Sequence, residues 1–537
     1  MMPPSGSSEL QCILRILNAD ILSDIIELLY EVQLLVPFSE TCKMIRQACK
    51  PCLFRKARIS TSRDLFTGVL FSFTTNIWLY VRHLTVRGYW LRIWYEGPLD
   101  LGDLPLADFL ARMPHLQTIV VDEANSMGGP GIPWDGLAAL LSPPQLREFD
   151  LRITPNRGTP KPPDITFTIA PLTKLSFSIW DYRDHPRARI GETSLMKYAI
   201  NAAAPSLEHL SIPLDVSPLA EMAVSCWPRL QVLELKGDRG TEPFLAIIDV
   251  LSRMPHLRHL TILRAQRDDS PAHVLWSNAC TKRFPCPQLE TMCLSHLDPA
   301  DELFSHLPPT LRQLSLRCWP RHYLHQHRHD RRAMTRLEWQ SQIRTASEVY
   351  FALRRCSNVA LESLEIEYEE DDHESVLLRN ISEMFPHLRV LTIYRYRRPD
   401  SPSVKADDIA QALSQLRTLR ILRLHADLAE APHPLADFML GSPPLIFPEH
   451  EEALRDFVHV LAKGLSSEIR FISVLLRERW TNLWLPFRIT RNLEGSISEI
   501  SRDTDLVSVG GYSLYDDPSP KTVEQMPLPD ELDLFEF

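Results

Sequence analysis

The residues whose types and spacing come nearest to chemistry are four histidines, His322, His325, His327 and His329, crowded into RCWPRHYLHQHRHDRR. Such a set holds zinc when thiolates or carboxylates complete it and a rigid element fixes the geometry. Supporting thiolates and carboxylates are sparse here. The stretch also carries five arginines between Arg317 and Arg332, so it reads as a basic, exposed loop suited to an acidic partner or to the chain's own acidic end. Cys49 and Cys52 form one CxxC pair with Cys42 nearby, and Cys280, Cys286 and Cys293 form a looser group; neither has a second pair at zinc-site spacing. Ten cysteines in 537 residues do not describe a disulfide framework and read as ordinary thiols of a reducing compartment. The chain has no glycine-rich phosphate loop, GxSxG elbow or HExxH helix, and 18 glycines leave little room for a nucleotide cradle. It reads as a non-enzyme that needs no metal or cofactor.

What recurs instead is LxxLxL, thirteen times from Val81/Leu84/Val86 to Ile469/Ile472/Val474, eight of the copies following a proline by two residues. The last two apolar positions are two apart and share one face of a strand, while the first sits on the turn leading in. Helical spacing precedes many copies, as in Leu106, Phe109, Leu110 and Met113, and proline ends each such helix because it lacks an amide donor. One unit is thus helix, proline turn and short strand, which buries its apolar face only by stacking on neighbours. The expected fold class is α/β: a solenoid with a parallel sheet and outer helices, preceded by a small all-helical module. An ordinary parallel sheet in one or two α/β domains is the alternative. The pattern resembles the irregular kind of leucine-rich repeat, with copies 22 to 50 residues apart and most lacking the usual Asn or Cys.

Hydrophobic residues make up 44% of the chain, enough for a large core, and no apolar run approaches a membrane span. The opening MMPPSGSSEL has no secretory character, so a cytoplasmic or nuclear location is expected. Net charge is −10, of which residues 495–537 carry −8, with ten acidic side chains against Arg502 and Lys521. The nearly neutral body argues against general nucleic-acid binding. The expected organisation is a disordered start (1–9), a helical module (10–60), the repeats (61–494) and an acidic, disordered tail (495–537).

Within the module, Asn18 is placed to cap a helix bearing Ile21, Ile25, Leu28 and Leu29, and a second helical stretch carries Leu34, Leu35, Phe38, Cys42 and Ile45. This segment resembles an F-box. Leu17, Asp20, Ile21, Leu22, Ile25 and Leu28 match its opening and Leu34, Leu35, Phe38, Ser39, Cys42, Lys43 and Ile45 its close, with Asn18 in place of proline and Ile45 where the family often has Trp. Divergent fungal F-box proteins with irregular leucine-rich repeats look much like the whole chain, including the PHLRxL phrasing. The resemblance implies a substrate receptor: a Skp-family adaptor and its cullin ubiquitin ligase held through Leu17, Ile21, Leu22, Ile25, Leu28, Leu34, Leu35, Phe38, Cys42 and Ile45, and an unknown target held by the repeats. The alternative is a repeat-based interaction scaffold whose N-terminal helices only cap the first repeat.

The position after each apolar pair falls on the strand face opposite the core and changes sign along the array. Arg87, Asp122, Arg152, Lys236, Arg317, Glu367, Tyr394 and His425 stand there, with Glu365 in the column between the paired residues; these are the expected target contacts.

Overall fold

A computed structural model describes residues 18–61, 77–88, 106–123, 132, 134–152, 168–178, 188–238, 247–267, 274–276, 283–296, 298–326, 334–340, 342–356, 359–398, 401–428, 448–477, 482–492, 494–502 and 508–509. Contacts divide the chain into two compact units, one of residues 1–181 and 186–203, the other of residues 182–185 and 204–537.

The first unit opens with three helices, α1 (Ala19–Glu31), α2 (Leu35–Ser39) and α3 (Lys43–Leu53). Asn18 caps α1 by accepting the Asp20 amide at 3.2 Å, and the Cys42 sulfur accepts the Ile45 amide at the start of α3. Ile26, Leu35, Ile45, Cys49 and Cys52 form the buried centre of this module, with Leu22, Leu29 and Phe38 packed around it. Parallel strands follow: β1 (Lys56–Thr61), β2 (His83–Gly88), β3 (Thr118–Glu123), β4 (Glu148–Arg152) and β5 (Lys174–Phe177), with α4 (Leu106–Ala111), α5 (Trp134–Leu141) and α6 (Ala188–Ala203) between or after them.

The second unit repeats the scheme. Its parallel strands are β6 (His209–Pro213), β7 (Val232–Gly237), β8 (His259–Arg264), β10 (Thr291–Ser295), β11 (Gln313–Arg317), β13 (Ser363–Glu369), β14 (Val390–Tyr396), β15 (Ile421–His425) and β16 (Phe471–Arg477). Antiparallel β17 (Asn482–Arg491) continues from β16 and pairs with β18 (Ile497–Arg502) and β19 (Ser508–Val509), while β9 (Gln266–Arg267) and β12 (Trp339–Gln340) form a separate short pair. The helices are α7 (Leu219–Val224), α8 (Ile247–Leu251), α9 (Ala346–Leu353), α10 (Glu374–Met384), α11 (Ala406–Leu413) and α12 (Pro448–Gly464).

Every one of the thirteen apolar pairs lies in a strand of this mixed α/β fold. Within the first unit Leu84, Ile119, Phe149 and Leu175 stand side by side in register, and within the second Leu210, Leu233, Leu260, Met292, Leu314, Leu364, Leu391, Leu422 and Ile472 do the same. The leading apolar residue is fully buried throughout, from Val81 to Ile469, each such leucine contributing about 1.5–3 kcal/mol of burial. Within each unit the pattern recurs of one turn carbonyl that accepts two amides of the next turn: Arg258 O takes Glu290 N at 2.8 Å and Thr291 N at 3.0 Å, and Glu290 O takes Arg312 N and Gln313 N alike.

A fourteenth copy precedes the thirteen. Arg55 O accepts Arg82 N at 2.9 Å and His83 N at 3.0 Å in the same turn pattern, and Ala57 and Ile59 pair with Leu84 and Val86. Phe54/Ala57/Ile59 therefore has the repeat's spacing with Ala57 at a position elsewhere filled by larger side chains. The expected boundary at residue 60 falls inside β1, and the expected disordered tail instead begins with a strand, since β18 occupies Ile497–Arg502.

Candidate functional site

Two surfaces bear on function, the helical module and the strand face opposite the core. In the module, helix α1 is apolar on two adjacent sides. Leu22, Ile26 and Leu29 turn inward, whereas Ile21, Ile25, Leu28 and Val32 recur at i, i+4, i+7 and i+11 and form a stripe on the outside. Ile21, Leu28 and Val32 are 50%, 59% and 53% exposed, and Leu34 and Val36 extend the apolar surface into α2. Among the expected adaptor contacts, Ile21, Leu28 and Leu34 are exposed and Leu22, Ile25, Phe38 and Cys42 half-buried. Leu35 and Ile45 are corrections: at 2% and 0% exposure they build the module's own core and offer nothing to a partner. Leu17 lies outside the described residues. Val32, Val36 and Met44 are exposed apolar residues that the family pattern does not single out.

The CxxC pair is inward too. Burial pushes the Cys49 and Cys52 thiols up, which disfavours the thiolates a metal would need, and Cys52 is engaged with Glu27 and Arg55. A Glu27–Arg55 ion pair ties α1 to the residue before β1, and the guanidinium holds the Glu27 carboxyl below its usual range.

On the strand face the two units differ in cover. In the first, Asp122 and Arg152 are half-buried, Arg152 donates to Asp150 at 2.9 Å, and Arg87 sits at the end of β2 in register with Ser60 and Asp122. In the second, Lys236 is half-buried and bridges Glu234 at 3.0 Å. From β11 onward the expected contacts are covered: Arg317, Glu367, Tyr394 and His425 are all buried, and the Glu365 side chain is 14% exposed. They correct the expectation of an open face along the whole array.

The cover is the histidine- and arginine-rich insertion itself. β11 and β13 pair directly, Leu314 beside Leu364, so the long connection between them does not interrupt the sheet. Cys318, Trp319, Arg321 and Tyr323 are buried, contrary to the expected exposed loop. Glu367 organises them by accepting four bonds: Cys318 N at 2.9 Å, Arg321 Nη1 at 3.0 Å, His322 N at 3.0 Å and the Tyr396 hydroxyl at 3.1 Å. Arg321 also pairs with Glu365 and stacks on Tyr394, its guanidinium carbon 4.2 Å from the ring centre. Burial opposes the charge on Glu365, but Arg321 and Arg317 beside it and the Ser315 hydroxyl prevail and hold its carboxyl at about 2.

Two further contacts pin the insertion. The His296 ring accepts the Trp319 amide at 3.2 Å and lies 3.2 Å from the Gln342 carbonyl, and burial drops the imidazole to about 4, so it is neutral near pH 7. Tyr323, with Leu324 and Ile343, packs against Tyr394, Tyr396, Leu475 and Trp484. His322 edges onto the Tyr396 ring, and His327 and His329 lie outside the described residues. Among the described residues no helix is long and apolar enough to cross a membrane. No family model matches the chain, and no curated protein matches it.

Proposed function

We propose that this chain is an F-box-type substrate receptor: the N-terminal helices hold a Skp-family adaptor of a cullin ubiquitin ligase, and a leucine-rich-repeat solenoid holds the target. The observation that carries the reading is the outer stripe of α1. A small module that already has a core spends a second apolar side of its first helix on solvent, and an exposed apolar surface of this kind marks a protein interface. A partner groove that receives an amphipathic helix reads the same i, i+4, i+7 spacing. In this reading the chain carries out no bond chemistry; it raises the effective concentration of target near the ligase.

The test is capture of a purified Skp-family adaptor by the full-length chain. I21D/L28D is expected to weaken capture by at least about tenfold, because two apolar side chains at roughly 1 kcal/mol or more each leave the interface, with the melting temperature unchanged. Capture unaffected by this variant, or absent from the native chain, overturns the reading. Leu35 is unsuited to the test because its substitution would report on folding. The second reading, a scaffold whose helices only cap the repeats, draws on the short step from the end of α3 at Leu53 to Lys56 of β1. It requires that the native chain capture no adaptor.

A further inference from the structure

The run from Thr41 to Thr61 contains Lys43, Arg46, Lys50, Arg55, Lys56 and Arg58 and no acidic residue, in a chain of net charge −10. Two of these charges stand on the strand face of the first unit. Ala57 and Ile59 pair with Leu84 and Val86 on the core side, so Lys56 and Arg58 share the opposite side with His83 and Thr85. Both are exposed, as is Arg82 just before β2. Arg55 is neutralised by Glu27, but among the described residues neither Lys56 nor Arg58 has an ion-pair partner; Lys56 only lies over the Tyr30 ring, 5.9 Å from its centre. The carboxylates on this face, Asp122, Glu148 and Asp150, stand on β3 and β4, and Asp150 is engaged by Arg152.

We propose that the β1–β2 face, centred on Lys56 and Arg58, docks a carboxylate-rich, extended segment of a protein partner. Alternate residues of a strand are about 7 Å apart, so the two cations match alternate side chains of an extended acidic peptide. Lys56, Arg58 and Arg82 gather at one strand pair of an acidic chain, with the carboxylates of β3 and β4 on the same face, whereas nucleic acid needs a broad positive footprint. The proposal rests on the strand face being the target-holding surface and is independent of the adaptor.

The probe is a fluorescent peptide of five Ser-Glu repeats, with a Ser-Gln peptide as control, titrated with the full-length chain by anisotropy. Selective binding of the Glu peptide is expected. It should weaken about tenfold in K56Q/R58Q, as two exposed charge contacts are lost, weaken further in K56E/R58E, and fall with added salt. Both positions are exposed, so both variants should keep the native melting temperature and the native adaptor capture, which separates this test from the adaptor test. Equal binding of the two peptides, unchanged binding by K56E/R58E, or tighter binding of a DNA duplex than of the Glu peptide overturns the proposal.

Discussion

Replacing Arg321 by methionine keeps most of the side-chain volume and removes a guanidinium that bridges Glu365 and Glu367. Glu367 keeps its bonds from Cys318 N, His322 N and the Tyr396 hydroxyl, and Glu365 keeps the Ser315 hydroxyl and the charges of Arg317 and Arg423 but loses its Arg321 partner. Breaking a buried pair from one side costs about 3–5 kcal/mol, since the surviving charge stays desolvated. The titration of Glu365 gives a similar figure: held at about 2 against an ordinary 4.5, its carboxylate contributes about 3 kcal/mol at neutral pH. At about 2 cal/mol/K per residue, a unit of roughly 330 residues that unfolds in one step loses about 4–7 °C. The sign with pH is separable. A depressed carboxyl stabilises the native chain above pH 4.5, and that stability drains away as pH falls toward 2. In R321M burial acts with less opposition, so the Glu365 pKa rises, the acid loss shrinks, and the gap between the two proteins narrows toward acid pH. Differential scanning calorimetry between pH 7 and pH 2.5 reads both effects. A melting temperature within 1 °C of native at pH 7, with parallel pH curves, would refute the pairing argument and the view that the insertion is pinned to the strand face.

Three other outcomes follow from particular contacts. Gly464 ends α12 where a Cβ would come 2.7 Å from the Ala410 Cβ of α11. Gly464→Ala, which ordinarily stabilises a helix by about 0.5–1 kcal/mol, should here lower the melting temperature; a rise shows that the two helices separate freely. His296 is buried neutral with its imidazole near 4, so the unfolded chain takes up the extra proton between about pH 6.5 and 4, and native stability falls as pH drops through that window. Urea unfolding should show about 2 kcal/mol less stability at pH 5 than at pH 6.5 from this group, a loss absent in H296Q. Asp301 accepts amides from Leu275, Trp276 and Leu303, so Asp301→Asn should cost about 1–3 kcal/mol by leaving one of these donors facing an amide group; a change below 0.5 kcal/mol would show the site to be open to water.

How far the sequence reached was decided by the range of the interactions involved. The apolar pairs were legible because a strand's period is local, and each Leu or Ile reports its own face without knowledge of any neighbour. Phe54/Ala57/Ile59 escaped for the same reason: Ala57 is identified as a core position only by its pairing with Leu84. The module shows the limit at single residues. A match to a family pattern picks out Leu35 and Ile21 alike, but the pattern mixes positions that hold the helices together with positions that face away, and only packing separates them. Cover over the strand face was wholly hidden. Four histidines and five arginines read as a solvated loop because charge in sequence normally means water, yet Glu365 and Glu367 lie more than forty residues downstream of Arg321 and supply the compensating charge only after β11 and β13 have paired. The same pairing explains why an acidic strand and a basic insertion, each plausible alone as a target contact, are better read as each other's partner. In the proposed reading, target recognition in the second unit shifts from Glu365, Glu367, Tyr394 and His425 toward strands such as β6 and β7, where Ser211, Glu234 and Lys236 are half-exposed, the Ser211–Glu234 bond crosses between the two strands and Lys236 pairs with Glu234 along β7.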